Sequence, residues 1–243
     1  MRLDVFLVEN GFTASRTEAK NFITSGAVTV NGKVITKPAY DVPETENGVS
    51  LDSSQKKYVS RGGLKLEAAL SEFNINVKGR RALDIGASSG GFTDCLLKNG
   101  VNHVISVDSG SGQLAESLRN DERVTVIENY NARYMSSSDF SYLPDLAVMD
   151  VSFISATYII PAVYKTLSLD SDFVCLIKPQ FEVGRSNLGK GGIVKDERLR
   201  NEAVNKVIAF ADSVGFDVIS VIKSPIQGGD GNIEYLAHFR KSR

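Results

Sequence analysis

The sequence predicts an α/β fold with a mostly parallel sheet, preceded by a small α+β unit. From Arg81 onward, short apolar runs alternate with segments of helical periodicity. Strands that are separated by helical crossovers pair in parallel and carry helices on both faces. Residues 1–56 instead combine two short helical patterns with a hairpin signal, so we expect them to form a separate unit.

The composition is typical of a globular protein, with 42% hydrophobic and 23% charged residues among 243. The formal net charge is −1, so any contact with nucleic acid must come from local clusters of basic residues. Both cysteines, Cys95 and Cys175, lie in apolar runs, which predicts buried reduced thiols and a cytoplasmic protein. No signal peptide or long apolar run is present, so no membrane role is predicted.

The front unit is predicted from turn and cap residues. A short apolar helix covers RLDVFLVEN, and Ser15 with Glu18 forms the capping-box pattern of a second helix that ends at Gly26. Asn31-Gly32 stands between two β-rich runs and predicts a hairpin turn. The prolines and polar residues that follow indicate a linker, with the domain boundary near residues 55–58.

The larger unit is predicted from alternating patterns. Helical segments include GFTDCLLKNG, SGQLAESLRND and the long DERLRNEAVNKVIAFADSVG. The predicted strands are RALDIG, HVISVD, VTVIEN, LAVMDVSF, FVCLIKP, DVISVIKS and IEYLAHF.

A Gly/Ser-rich turn at residues 86–91 follows the first of these strands and opens a helix. Such a turn lets a ligand approach the backbone and the free N–H groups of a helix N-terminus. The ligand could be a dinucleotide or S-adenosylmethionine, and a turn without a ligand is a third alternative. The spacing differs from the dinucleotide pattern, and Asp84 and Asp108 suit a cationic amino group and ribose hydroxyls, so methyl transfer is favoured.

Four ionisable residues fall where a crevice is expected. Asp150 and Lys178 end two strands, Glu234 opens the last strand, and Lys65 lies on the helix that leads into the sheet. Each alone is more often a solvated surface charge. Together they suit a ribose hydroxyl, a weak nucleophile that needs a positioned base or lysine. Asp-Val-Ser-Phe at residues 150–153 also differs from the Pro-Pro-aromatic pattern typical of amine methylases, which favours transfer to oxygen.

The chain closely resembles the TlyA family of ribosomal RNA 2′-O-methyltransferases, which act on cytidine and were historically labelled haemolysins. The resemblance runs nearly from end to end. It is carried by Arg2-Leu3-Asp4, Ser15-Arg16, Val30-Asn31-Gly32, Lys37-Pro38, residues 59–66 (VSRGGLKL), residues 84–93 (DIGASSGGFT), Ser117-Leu118-Arg119, Asn131-Ala132-Arg133, residues 150–155 (DVSFIS), residues 178–184 (KPQFEVG) and residues 231–235 (GNIEY).

The resemblance implies a Rossmann-like class I methyltransferase fold with a mostly parallel seven-stranded sheet over residues 62–243. It also implies an S-four-type RNA-binding domain over residues 1–56 and a linker over 57–61. In FtsJ-like enzymes a Lys-Asp-Lys-Glu tetrad is catalytic, which corresponds here to Lys65, Asp150, Lys178 and Glu234. The residues expected to bind S-adenosylmethionine are Asp84, Gly86, Ala87, Ser88, Gly90, Gly91, Phe92, Asp108 and Asn131.

The expected partners are ribosomal RNA or ribosomal subunits, with no metal and no membrane. Residues 1–56 are slightly acidic overall, so a charged helix face is the plain alternative to an RNA surface. With the resemblance, we expect RNA contacts from Arg2, Arg16, Lys20, Lys33 and Arg61. One departure is the linker, which reads Lys56-Lys57-Tyr58-Val59 where relatives carry a tryptophan. The rival functions are a non-enzymatic RNA-binding protein and a cytolysin.

Overall fold

The computed structural model describes residues 1–13, 15–24, 26–43, 48–52, 57–228 and 230–242. The chain divides into two compact units, Met1–Arg61 and Gly62–Arg243. Part of the predicted boundary, Gln55 and Lys56, lies outside the described residues. Within the described part of the chain, no helix is long and apolar enough to cross a membrane.

The first unit packs two helices on a three-stranded antiparallel sheet. Leu3, Phe6, Ile23 and Val28 belong to its buried core. The elements are α1 (Leu3–Glu9), α2 (Arg16–Thr24), β1 (Val28–Val30), β2 (Lys33–Val34) and β3 (Val49–Leu51), with strand order β2-β1-β3.

Two of the predicted local signals are present in this unit. The Ser15 side chain accepts a hydrogen bond from the backbone N–H of Glu18 at 3.2 Å, as an N-cap does. Asn31 and Gly32 have φ of 51° and 75°, which makes the two-residue turn that joins β1 to β2. Strand β3 lies where a linker was predicted. It was missed because a strand of three residues that pairs only with β1 has too short a pattern to be recognised.

The second unit is a seven-stranded sheet between helices, in the order β6-β5-β4-β7-β8-β10-β9. Its helices are α3 (Gly62–Glu72), α4 (Gly91–Lys98), α5 (Glu116–Arg119), α6 (Ile160–Thr166) and α7 (Glu197–Val214). Its strands are β4 (Arg81–Ile85), β5 (His103–Val107), β6 (Val124–Ile127), β7 (Leu146–Met149), β8 (Ser171–Ile177), β9 (Asp217–Lys223) and β10 (Tyr235–Lys241). Strand β10 is antiparallel to both neighbours, and the other pairs are parallel. The predicted fold class is confirmed.

The apolar runs form the buried centre of this sheet, where β7 is buried along its length. Phe173, Phe216 and Phe239 pack their rings against one another at centroid distances of 5.4–6.1 Å. Cys95 and Cys175 are buried free thiols, as predicted. Burial raises the pKa of the Cys175 thiol, so it remains protonated and inert.

The connection after β5 is less helical than its sequence pattern predicts, since only Glu116–Arg119 forms a helix. The backbone N–H of Gly110 donates to the Asp108 carboxylate, and that of Gly112 donates to Glu128. These donors wrap the segment around two carboxylates at strand ends, which prevents it from starting a helix earlier.

Candidate active site

The carboxyl ends of β4–β8 meet at one edge of the sheet. Chain order reverses between β4 and β7, and in open α/β sheets such a switch point is where ligands bind. Gly86, directly after β4, has φ +80°, and a side chain there would collide with the Asp150 carbonyl. Gly90 has φ +91°, and a side chain there would meet Leu114 and Leu118. The absence of a side chain at these two glycines therefore lets the turn pack directly against the backbone of Asp150 and the side chains of Leu114 and Leu118.

An open hollow lies beside this turn, at the ends of β4, β5 and β6. It is lined by Ala87, Ser88, Ser106, Asp108, Gly110, Gln113, Leu114, Val126 and Glu128. The Asp108 carboxylate accepts the backbone N–H groups of Ser88 at 2.8 Å and Gly110 at 2.7 Å. These two bonds join the Gly/Ser turn to the connection after β5 and fix the shape of the hollow.

Three of the predicted cofactor residues, Ala87, Ser88 and Asp108, line the hollow. Gly91 and Phe92 begin α4 and are buried, and their part in cofactor binding stays a prediction. Asn131 lies after β6, where its side chain accepts the backbone N–H of Arg133 at 3.1 Å and caps a short 3-10 helix. Its contact with an adenine stays a prediction.

Asp84 is completely buried at the end of β4. Its Oδ2 accepts a hydrogen bond from the Thr93 hydroxyl at 2.6 Å, and Thr93 is also 2.8 Å from the Ser106 hydroxyl. Its Oδ1 is buried and has no hydrogen-bond partner among the described residues. Burial raises the pKa of Asp84 to about 7. A buried acceptor without a partner fits a ligand that brings a cationic donor.

Glu128 was missed as a site residue, although it lies one residue beyond β6 as Asp108 does beyond β5. The hydrogen bond from the Arg119 guanidinium lowers the pKa of its carboxyl and keeps it ionised. An acid directly after an apolar strand was the available signal. Ser106, Gly110, Gln113, Leu114 and Val126 were missed as well, because their patterns are those of ordinary strand and turn residues.

The four tetrad candidates form two ion pairs. Lys178 Nζ lies 2.6 Å from Asp150 Oδ1 and donates a hydrogen bond to the Ser152 hydroxyl at 2.8 Å. Lys65 Nζ donates to Glu234 Oε2 at 2.5 Å, and both of these residues are buried. Ile177 pairs with Tyr235 across β8 and β10. Lys178 follows Ile177 and Glu234 precedes Tyr235, so each ion pair has one residue at these adjacent strand ends.

Phe153 is the most exposed large apolar residue of the described chain, at 91%. Its backbone has φ +64°, a region that is strained for a bulky side chain. Its ring lies 5.3 Å from that of Phe181. It directly follows Ser152, whose hydroxyl accepts the hydrogen bond from Lys178, so an exposed aromatic residue is the chain neighbour of a Lys178 contact.

The basic residues predicted to contact RNA differ in their surroundings. Arg2 and Arg16 both bind the buried Asp4 carboxylate, at 2.9 Å each, with their side chains still half exposed. Those guanidinium groups lower the pKa of Asp4 to about 2. Lys20 and Lys33 are exposed, and Arg61 is partly buried. Asp4 was not predicted to organise the two arginines. Among the described residues, no cluster of His, Cys, Asp and Glu could hold a metal ion.

Comparison with protein families gives a match of residues 58–241 to the FtsJ-like methyltransferase model and of residues 1–47 to the S4 domain model. The chain belongs to the FtsJ-like methyltransferase family. This family match covers the entire seven-stranded sheet and all four tetrad candidates. The predicted family is thereby confirmed.

Three similar proteins extend the comparison over both units. "Hemolysin A" of Brachyspira hyodysenteriae is 46% identical over 240 residues, covering 98% of this chain and 99% of that protein. The "16S/23S rRNA (cytidine-2'-O)-methyltransferase TlyA" of Mycobacterium tuberculosis is 44% identical over 239 residues, covering 98% and 89%. A solved structure labelled hemolysin, from Streptococcus thermophilus, has a TM-score of 0.79 and 44% identity, covering 100% and 88%. The hemolysin and methyltransferase labels are thus both given to proteins that are similar to this chain over nearly its whole length.

Proposed function

We propose that this chain transfers a methyl group from S-adenosylmethionine to the 2′-hydroxyl of a cytidine in ribosomal RNA. The observation that carries the proposal is the Lys178–Asp150 pair with its Ser152 contact, at the end of the sheet where the Gly/Ser turn lies. The relative named as a ribosomal RNA cytidine-2′-O-methyltransferase supports the choice of substrate.

We assign residues 62–243 to catalysis, residues 1–56 to RNA binding and residues 57–61 to the linker between them. The family models support this division, since one ends at residue 47 and the other begins at residue 58. The phosphates of the RNA would then be contacted by Arg2, Arg16, Lys20, Lys33 and Arg61. A few basic side chains in the right places can bind phosphates even when the domain as a whole is not basic. A ribosomal substrate places the protein in the cytoplasm.

The residues at the Gly/Ser turn suit S-adenosylmethionine. Asp84 has a buried carboxylate oxygen to offer a cationic amino group, and Asp108 and Glu128 offer acceptors to ribose hydroxyls at the hollow. Gly86, Ala87, Ser88 and Gly90 would form the wall of the site. When bound, the cofactor supplies an electrophilic methyl group on a sulfonium.

Lys178 would orient the 2′-hydroxyl. An ammonium has three N–H donors, of which Ser152 accepts one, while Asp150 Oδ1 is the counterion at 2.6 Å. A remaining donor can bond the ribose oxygen and offset the negative charge that this oxygen gains as its proton leaves to water. Lys65, held by Glu234, brings a second lysine to the adjacent strand end.

Phe153 would hold the target nucleotide. RNA-modifying proteins stack unpaired bases on aromatic side chains. An exposed aromatic ring suits this task, and because Phe153 follows the Ser152 that binds Lys178, a base stacked on it would bring its ribose towards the lysine.

The test uses purified chain with ribosomal subunits and S-adenosylmethionine labelled in the methyl group. We expect label in ribosomal RNA as 2′-O-methylcytidine. Lys178→Ala should bind S-adenosylmethionine like the wild type but transfer at least about 100-fold more slowly. Lys165→Ala, an exposed lysine on α6, is the matched control. Full transfer by Lys178→Ala would remove this lysine from the mechanism. If the wild-type chain did not bind S-adenosylmethionine, a non-enzymatic RNA-binding protein would be favoured.

A further inference from the structure

The loops that follow β7 and β8 are tied together by the carboxylate of Glu182, which is buried. Its Oε1 accepts the backbone N–H of Ala156 at 2.8 Å. Its Oε2 accepts the Ser155 hydroxyl at 2.6 Å and the Lys206 ammonium, from α7, at 3.0 Å. Lys206 also donates to the Glu182 carbonyl at 3.1 Å. One carboxylate therefore joins both loops to helix α7.

Each tied loop begins at a residue of the Lys178–Asp150 pair. Asp150 follows β7, and the chain then passes Ser152 and Phe153 before it reaches the Glu182 contacts. Lys178 follows β8, and Glu182 lies one short 3-10 helix further on. The two loops are therefore in contact at two places. The Lys178–Asp150 ion pair joins them where they leave the strands, and the Glu182–Ala156 hydrogen bond joins them four to six residues further along.

The loop between these contacts holds a strained residue. Phe153 has a left-handed φ that a bulky side chain adopts only when its surroundings impose it. Its own side chain is almost fully exposed, so burial of that ring supplies little of the constraint. The Glu182 carboxylate binds the side-chain hydroxyl of Ser155 and the backbone N–H of Ala156, two and three residues further on. These bonds restrain the chain next to the strained position.

We infer that Glu182 is a positioning residue, which holds residues 151–155 so that Ser152 meets Lys178 and Phe153 faces solvent beside it. This inference rests on the proposed methyl transfer. Glu182 acts through Ser152 and Phe153 and contacts neither substrate nor reacting atoms. A purely structural carboxylate would change the stability of the chain and the fraction of active molecules, but not the rate of each active molecule.

Glu182→Gln tests the difference, because the amide keeps the shape of the side chain but retains one acceptor oxygen in place of two. Asp172→Asn is the matched control, since Asp172 is a largely buried carboxylate at the opposite end of β8 that binds Arg80 and His238. The readouts are the unfolding midpoint, S-adenosylmethionine affinity and stoichiometry by calorimetry, and kcat and KM for ribosomal RNA per cofactor-binding site.

We expect Glu182→Gln to bind S-adenosylmethionine with unchanged affinity and to lose at least about tenfold in kcat per site. Asp172→Asn should lose stability yet keep kcat per site within about twofold of the wild type. Ser155→Ala removes one Glu182 contact and should lower kcat per site more mildly. It carries the test if Glu182→Gln does not fold.

Ser152→Ala and the double variant Ser152→Ala/Glu182→Gln test the route of the effect. If Glu182 acts through Ser152, the double variant is hardly slower than the slower single variant. Additive losses would overturn that route. Unchanged kcat per site in Glu182→Gln, with activity lost only in proportion to cofactor-binding sites, would overturn the positioning role. A wild-type chain without transfer activity would instead overturn the proposed function, and this inference with it.

Discussion

Lys65 Nζ and Glu234 Oε2 are 2.5 Å apart, although 169 positions separate these residues in the chain. The contact joins the first helix of the second unit to the start of its last antiparallel strand. Both side chains are removed from water, so each depends on the other for a partner.

Glu234→Gln should destabilise the chain by about 3–5 kcal/mol, because it leaves the Lys65 charge buried without its counterion. Transfer should fall while S-adenosylmethionine binding survives. Urea unfolding and a methyl-transfer assay measure the two effects. Glu202→Gln, which breaks the exposed Arg198–Glu202 pair, is the control and should change stability by no more than about 0.5 kcal/mol. Equal effects of the two variants would contradict a buried pair.

Asp84→Asn should weaken S-adenosylmethionine binding and yet stabilise the ligand-free chain at high pH. The pKa of Asp84 is raised to about 7 by burial, above its unfolded value. Folding therefore favours the protonated carboxyl, and stability falls as pH rises from about 4 to about 7. The variant lacks this titration, so its unfolding midpoint should decline less over the same range. Calorimetry at pH 6 and pH 8 should also give tighter wild-type cofactor binding at pH 8. An unchanged affinity in Asp84→Asn would remove Asp84 from the cofactor site.

Asp4→Asn should destabilise the first unit at neutral pH and have a clearly smaller effect in acid. The pKa of Asp4 is lowered to about 2 by Arg2 and Arg16, so its stabilising effect is present above pH 4 and is lost as pH falls towards 2. We expect a difference on the order of 1–2 kcal/mol at pH 7, discounted because both arginines are half exposed. Urea unfolding at pH 7 and pH 2.5 measures it. A difference at pH 2.5 that is as large as at pH 7 would show that the charge of Asp4 is not its cause.

Phe153→Gly should make the chain more stable and the enzyme slower. Glycine adopts the left-handed backbone freely, which relieves about 1 kcal/mol, and the exposed ring contributes little to the core. Loss of the ring should raise KM for ribosomal RNA or lower kcat, since the base loses its stacking partner. Thermal unfolding and transfer kinetics check the two halves. Wild-type kinetics in Phe153→Gly would exclude the stacking role.

The sheet was predictable because its strands are apolar runs at regular intervals, each long enough for the pattern to be read. Elements that depend on distant partners were not predictable. Strand β3 has three residues and pairs only with β1. The helix expected after Asp108 is shortened by bonds to Asp108 and Glu128, which no local pattern contains.

The site was predictable where position alone identifies a residue. Asp150 and Lys178 each follow an apolar strand, and parallel strands bring such residues to one edge. The pairing of the four charged residues was not predictable, because it depends on how distant segments meet in the fold. In the structure Asp150 pairs with Lys178, and Lys65 pairs with Glu234. The Glu182 bonds to Ser155 and Ala156 were missed for the same reason, since an acid inside KPQFE carries no sign that it will be buried.

The decisive measurement of methyl transfer by this chain is a map of 2′-O-methylation, at single-nucleotide resolution, on ribosomal RNA from cells with and without this protein. We expect at least one cytidine that is methylated only when the protein is present. That mark should return with the wild-type chain and not with Lys178→Ala. Identical methylation maps in the two kinds of cell, or full restoration by Lys178→Ala, would contradict it.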